Sequence, residues 1–246
     1  MKVALFASKN IGRHVLDYLI KKYPEDLLIF VYLDSDVEIT NEFVFPEFTK
    51  VYSYSEILKK DSEFLRTDLD LIILAWWPEL VPDYIYAKSR LGAINTHNSL
   101  LPYCRGVHPN YWSIRNDEPY GVTIHRVTNN IDAGNIVKQV KIEKLWTDDG
   151  QSLYDKGINR LKKLFEEVYP NISELIIKSI PQKLIDGTIY SLKDINGSYR
   201  LDLDKQTKVR DVLNIIRAKQ FNNSPSAEFI ENGVTYEVKI EIKKKN

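Results

Sequence analysis

The chain has 246 residues, enough for one large domain or a medium domain with a small appendage. Its 34 Lys and Arg balance 34 Asp and Glu, so it offers none of the net positive charge with which nucleic-acid binders neutralise phosphates. The single cysteine, Cys104, excludes an internal disulfide and suits a reducing compartment, while the apolar run of "MKVALFASKN" is too short for a secretory signal and no segment reaches membrane-span length. The expectation is a soluble, cytoplasmic protein.

Taken in chain order, Val3 to Phe6 is a short apolar strand, and after Asn10 as N-cap the run "IGRHVLDYLIKK" has helical spacing. "LLIFVYL" is a second buried strand, "SEILKK" begins a helix, and "LDLIILAWW" is the most apolar strand. "VPDYIYAKSR" then starts a helix with Pro82 in its first turn, and "GAINTH" is the next strand. Strands that are almost uniformly apolar and alternate with helices predict an α/β fold, a mostly parallel sheet with helices on both faces.

From about residue 120 the rhythm changes. "YGVTIHRV" and "NIVKQVKIEKL" read as strands with little helix between them, and a long helical pattern runs from "SLYDKGINRLKKLFEEVY" towards Lys178. The last part of the chain reads as a small C-terminal subdomain. Thr207 can cap a helix, "KVRDVLNIIRAK", and the strands of "AEFIENGVTYEVKIEIKK" meet at Asn232-Gly233, the strongest short hairpin signal. The predicted division is 1–185 for the main domain and 186–246 for the helix and β-hairpin subdomain. A lone hairpin is marginal in water and has an exposed edge, so it packs on the main domain or on a second copy, and a homodimer through the hairpin is the expectation.

The stretch "AINTHNSLLPYCRGVHPNYW" carries the chemistry. Residues two apart on a strand share a face, so Asn95 and His97 project side by side from the carboxyl end of "GAINTH", where open α/β sheets bind ligands. Alone, the pair reads as loop hydrogen bonding, and Asp132 in "NNIDAGNIV" as an ordinary turn acid. Together, Asn-x-His, "SLLP", "RG", "GVTIH" and "IDAGNI" resemble the folate-dependent formyltransferase family, which is Rossmann-like and includes purine, methionyl-tRNA and sugar N-formyltransferases. The family has Pro after the His where this chain has Asn98.

The resemblance implies a catalytic set of Asn95, His97 and Asp132, with 10-formyltetrahydrofolate as co-substrate and no metal. Asn95 suits stabilisation of a developing oxyanion, and His97 suits general base, oriented by Asp132. The same resemblance gives the folate pocket as the loop with Trp77, Pro78 and Leu80, together with Ile131 and Gly134; of Trp76 and Trp77 at least one is a core residue. The histidines outside the set read differently: His14 as surface or packing, His125 as structural in the first place and a substrate contact in the second, and His108 as either a cleft or a loop residue.

The tail, with "LDLD", "LNIIRAKQF" and the hairpin, is similar to that of the sugar N-formyltransferases. The implied acceptor is a nucleotide-linked amino sugar, with no nucleic-acid or membrane partner; a non-sugar amine, carrier-linked or aminoacyl, or a catalytically silent folate-binding protein are the alternatives. Substrate candidates are Ser8 and Lys9 at a helix start, Arg105 and His108 in "RGVHP", Arg217 and Lys219 for a diphosphate, and Phe221 for a base. For Lys9 the other reading is a solvated side chain, and for the last three a solvated helix end and local packing.

Overall fold

The computed structural model describes residues 1–174, 177–222 and 224–245. In chain order the elements are β1 (Val3–Ala7), α1 (Lys9–Lys22), β2 (Leu27–Tyr32), β3 (Lys50–Ser53), α2 (Tyr54–Ile57), β4 (Leu71–Ala75), α3 (Asp83–Tyr86) and β5 (Ala93–His97). They continue with β6 (Arg105–Gly106), α4 (Pro109–Arg115), β7 (Tyr120–Arg126), β8 (Ile136–Ile142), α5 (Gly150–Ser173), β9 (Ile189–Tyr190), α6 (Leu192–Ile195), α7 (Val209–Lys219), β10 (Ala227–Glu231) and β11 (Val234–Val238). The chain divides into two compact units, one of residues 1–97, 123–138 and 160–182, the other of 98–122, 139–159 and 183–246.

A seven-stranded sheet has the order β3-β2-β1-β4-β5-β7-β8, parallel from β3 through β5. The expected mostly parallel α/β sheet is present. Every residue of β1 and β4 is buried, the signature of strands covered on both faces. Within the first unit, Phe6, Ile29, Val31, Ile72, Leu74 and Trp77 belong to one core cluster. The end of α5 adds Phe165 and Tyr169, which stack on each other and meet Tyr18 of α1 edge-on. The antiparallel β5–β7 pair sets Asn95 opposite His125 and His97 opposite Thr123.

In the second unit, Tyr111 and Trp112 of α4 pack with Cys104, Tyr120, Leu153 and Ala218. Glu118 accepts hydrogen bonds from Cys104 Sγ at 3.4 Å and from the hydroxyls of Thr188 and Tyr190, and burial with this carboxylate pushes the Cys104 thiol far up. The hairpin β10–β11 turns at Asn232 and Gly233, both left-handed at φ 49° and 78°, as a tight hairpin requires.

Several local expectations are corrected. Helix α1 starts at Lys9 with Ser8 as its N-cap, not Asn10. Pro82 is the N-cap of α3, which is a single turn because the Ser89 hydroxyl sits against the carbonyls of Tyr86 and Gly92, 2.9 and 2.7 Å away, and closes the chain there. Lys208 rather than Thr207 precedes α7, since the Thr207 hydroxyl bonds back to the Lys205 carbonyl at 3.3 Å. Helix α5 ends at Ser173, and its expected extension towards Lys178 crosses residues 175 and 176, which lie outside the described residues. Among the described residues no helix is long and apolar enough to cross a membrane.

Candidate active site

Four side chains of the first unit converge at the ends of β5 and β7. Asn95 and His97 share a face of β5 by the two-residue period, and the antiparallel register lays His125 beside Asn95. Asn95 Nδ2 lies 3.3 Å from His125 Nε2. Asp132 lies close to both imidazoles, with Oδ1 3.4 Å from His125 Nε2 and Oδ2 3.6 Å from His97 Nε2. The rings of His97 and His125 are perpendicular, 6.1 Å apart.

The tautomer of His125 follows from its other nitrogen. Nδ1 is 2.8 Å from the Arg126 carbonyl, an acceptor only, so Nδ1 carries the hydrogen. A neutral ring then offers a lone pair at Nε2, which the Asn95 amide N–H meets. Asn95 Oδ1 is buried and has no partner among the described residues. All four groups are sheltered, the side chains of His97, His125 and Asp132 being 10%, 3% and 12% exposed.

The loop that brings Asp132 here is tightly constrained. Asp132 has φ 47°, the left-handed region that Asp tolerates better than most residues. Gly134 follows because a Cβ at that position would stand 1.9 Å from the Arg126 carbonyl oxygen. The Gln182 amide ties the loop down by donating to the carbonyls of Asp132 and Gly134 at 2.8 and 2.6 Å.

The exit of β4 forms another wall of this unit. Trp77 is buried and meets Phe6 and Tyr54 edge-on at 5.3 and 5.1 Å, so it is the core residue of the Trp pair. Pro78 is exposed, and Leu80 is 80% exposed although apolar. The Tyr54 hydroxyl donates to the Leu80 carbonyl at 2.8 Å, and the Tyr86 hydroxyl bonds Asn129, which links this segment to the loop carrying the exposed Ile131. At the β1 exit Ser8 is buried and its backbone N–H donates to the Ala75 carbonyl at 3.2 Å, whereas Lys9 is exposed and left-handed at φ 51°.

The remaining candidates lie in the second unit. Arg105 keeps a buried Nε without a partner, and His108 is an exposed, left-handed residue (φ 53°) preceding α4. Arg217 is 4% exposed, and its guanidinium donates to the carbonyls of Leu145 and Asp148 at 2.9 and 3.0 Å and to Asn214 Oδ1 at 3.0 Å. A group so committed ties polypeptide together rather than presenting charge to a diphosphate. Lys219 donates to the Pro225 carbonyl at 2.7 Å, and Phe221 packs edge-on against Tyr154, in keeping with the local-packing alternative for that residue; the buried Arg217 is not part of a solvated helix end. His14 pairs with Glu166 at 2.7 Å, a packing role as expected. His125 lay outside the expected catalytic set, with a substrate contact as its second reading; its place beside Asn95 follows from the β5–β7 pairing, which the alternating strand alone does not reveal.

A family model described as formyl transferase matches residues 45–170, just over half of the chain. The chain belongs to the formyl transferase family. Residues 194–244 match the N-formyltransferase dimerization C-terminal domain. Methionyl-tRNA formyltransferase of Staphylococcus aureus is 36% identical over 130 residues, 52% of this chain and 42% of that protein, so the match spans less than half the length of these curated relatives. Among solved structures, a sugar N-formyltransferase from a Shewanella species superposes over 100% of this chain and 99% of its own with a TM-score of 0.83 at 18% identity, a likeness of fold. The formyltransferase PseJ of Anoxybacillus kamchatkensis, in complex with UDP-4,6-dideoxy-4-formamido-L-AltNAc and tetrahydrofolate, is 27% identical over 89% of this chain and 100% of its own, with a TM-score of 0.62.

Proposed function

We propose that this chain is an N-formyltransferase that moves the formyl group of 10-formyltetrahydrofolate to the amine of an amino-deoxysugar linked to a nucleoside diphosphate. The observation that carries this reading is the sheltered cluster of Asn95, His97, His125 and Asp132 at the ends of adjacent strands, in a chain of the formyl transferase family.

The residues present fit the folate. Asn95 Oδ1 is a buried polar atom without a partner among the described residues, and Leu80 and Ile131 expose apolar surface on segments joined through Tyr86 and Asn129. Trp77, Pro78, Leu80, Ile131 and Gly134 are the residues that would hold it, and bound there it would supply the activated formyl carbon. The Asn95 amide has two hydrogens; with one given to His125, the other is available to the formyl oxygen as negative charge develops on it. His97 accepts the proton released as the amine nitrogen bonds the formyl carbon, and Asp132 stabilises the resulting imidazolium. The proton and the C–N bond electrons then pass to the departing nitrogen, so charge balances over the cycle.

Two observations support a sugar as acceptor. The sugar N-formyltransferase from Shewanella has this fold over the full length of both chains, and the carboxyl-terminal match is to an N-formyltransferase domain. Arg105, with its unpartnered buried Nε, is the cation this reading assigns to the nucleotide. The 36% identity to methionyl-tRNA formyltransferases supports a second reading, an aminoacyl amine. As part of the first reading, the hairpin forms a homodimer contact: Val234 and Tyr236, on one face, are 51% and 45% exposed, with Tyr236 stacked on Phe229. The lone thiol, buried Cys104, suits the reducing cytoplasm as the place of action.

Mass spectrometry of dTDP-, UDP- and GDP-linked amino sugars and of methionyl-tRNA, each incubated with the protein and 10-formyltetrahydrofolate, tests the proposal. A one-formyl gain on a nucleotide sugar is expected. Gain on methionyl-tRNA alone favours the second reading, and no gain on any acceptor overturns the first.

A further inference from the structure

The backbone ladder between β4 and β5 ends at the pair Leu74–Asn95. Two residues later Trp76 turns into the left-handed region, φ 58°, an uncommon conformation for a bulky side chain. Such a residue persists only where its surroundings hold it, and these positions cluster at ligand sites. The turn removes the Trp76 N–H from the ladder. Thr96 Oγ1 accepts that N–H at 3.1 Å and itself faces the Leu74 carbonyl at 3.4 Å. One hydroxyl thus serves both a donor and an acceptor at a strand end. Thr96 is 3% exposed, so water is a poor replacement. It also stands on β5 between Asn95 and His97.

We infer that Thr96 is a positioning residue that latches the strained β4 exit, where residues 77–80 hold the folate, to the strand that carries Asn95 and His97. This rests on the formyl-transfer reading given above. Through the latch the folate-holding loop and the reacting amide and imidazole share one frame, and the hydroxyl sets folate affinity without touching folate or the amine. On the flanks of the same segment the Ser8 N–H donates to the Ala75 carbonyl at 3.2 Å and the Tyr54 hydroxyl to the Leu80 carbonyl at 2.8 Å; Thr96 adds a contact from the strand that carries Asn95 and His97.

The test pairs Thr96→Val, which keeps the branched shape and deletes the hydroxyl, with Thr96→Ser, which keeps the hydroxyl. Affinity is read by calorimetric titration with 5-formyltetrahydrofolate, a stable formyl folate, and by separate KM values for 10-formyltetrahydrofolate and the amino sugar. For Thr96→Val folate affinity falls about tenfold, the scale of one buried donor left unmatched, with the amino-sugar KM within about twofold. Thr96→Ser returns folate affinity to within about twofold of wild type. Should Thr96→Val not fold, Thr96→Ala, smaller at a buried site, is expected to give the same split. Folate binding by wild type that is unaltered in the hydroxyl-free variant overturns the latch alone, as does equal loss in Thr96→Ser. Absence of folate binding by the wild-type chain overturns the latch and the formyl-transfer reading together.

Discussion

Asn95 and His125 face each other across the antiparallel β5–β7 pair with Nδ2 and Nε2 3.3 Å apart. The Arg126 carbonyl holds the ring hydrogen on Nδ1, which leaves Nε2 to fix the orientation of the Asn95 amide. In the proposed reaction that orientation aims the second amide hydrogen at the formyl oxygen, so His125 acts through Asn95. Asp132 lies close to both rings, 3.4 Å from His125 Nε2 and 3.6 Å from His97 Nε2, and pairs with His125 only when that ring takes a second proton.

His125→Phe keeps the size of a ring while deleting both nitrogens. The expected result is a kcat about 10- to 100-fold lower, less than the loss of an oxyanion donor itself, with both KM values little changed. Steady-state kinetics on protein with a native circular dichroism spectrum checks it. Unchanged kcat would make His125 a packing residue only.

Asp132→Asn separates charge from shape. Asn tolerates the left-handed φ of 47° at this position, so the loop is expected to keep its conformation. The imidazolium of His97 then lacks its carboxylate, and turnover falls by about two to four orders of magnitude. Folate affinity, measured by titration, stays within about threefold if the loop is intact. Substantial turnover in the folded variant would remove Asp132 from the mechanism.

The parallel sheet was readable because β1, β2 and β4 are runs of apolar residues that only a doubly covered sheet buries. That Asn95, His97 and Asp132 lie together was expected from the resemblance, the first two sharing a strand face; the structure brings their side chains within one cluster. His125 was not part of that expectation, since its membership depends on which strand lies beside β5, a long-range pairing that local pattern does not encode. The surroundings of Arg217 were not readable for a different reason. A basic residue at the end of an amphipathic helix has the same local signature whether it meets solvent or a cluster of carbonyls, and the carbonyls of Leu145 and Asp148 come from 69 or more residues away.

Gly134→Ala probes the Asp132 loop without touching a reacting group. The added Cβ would fall 1.9 Å from the Arg126 carbonyl oxygen, so the backbone must shift and carry Asp132 with it. The expected cost is about 1–3 kcal/mol of stability, seen as a lower Tm, together with a loss of kcat. A variant with wild-type Tm and turnover would mean that the loop has slack that the geometry denies.

Arg217→Met distinguishes a buried tie from a diphosphate contact. Removing the guanidinium leaves the carbonyls of Leu145 and Asp148 and the Asn214 side chain without their donor, at a cost of about 2–4 kcal/mol. Chemical denaturation is therefore expected to show a lower midpoint, while the KM for the nucleotide sugar in the folded protein stays within about twofold. A large KM increase at unchanged stability would return Arg217 to the substrate.

The hairpin gives an expectation in mass rather than rate. Val234 and Tyr236 on β11 are 51% and 45% exposed, and Tyr236 stacks on Phe229 across the strands, a flat apolar face on a two-stranded ribbon. Two-stranded ribbons are marginal alone, and exposed apolar strands invite pairing. Replacing Val234 and Tyr236 by Lys puts two like charges on that face of each copy, which a homodimer contact would have to bring together without water. Light scattering is expected to give a dimer mass for wild type and a monomer mass for the double variant. An unaltered dimer would place the contact elsewhere within residues 194–244, the segment that matches the dimerization domain.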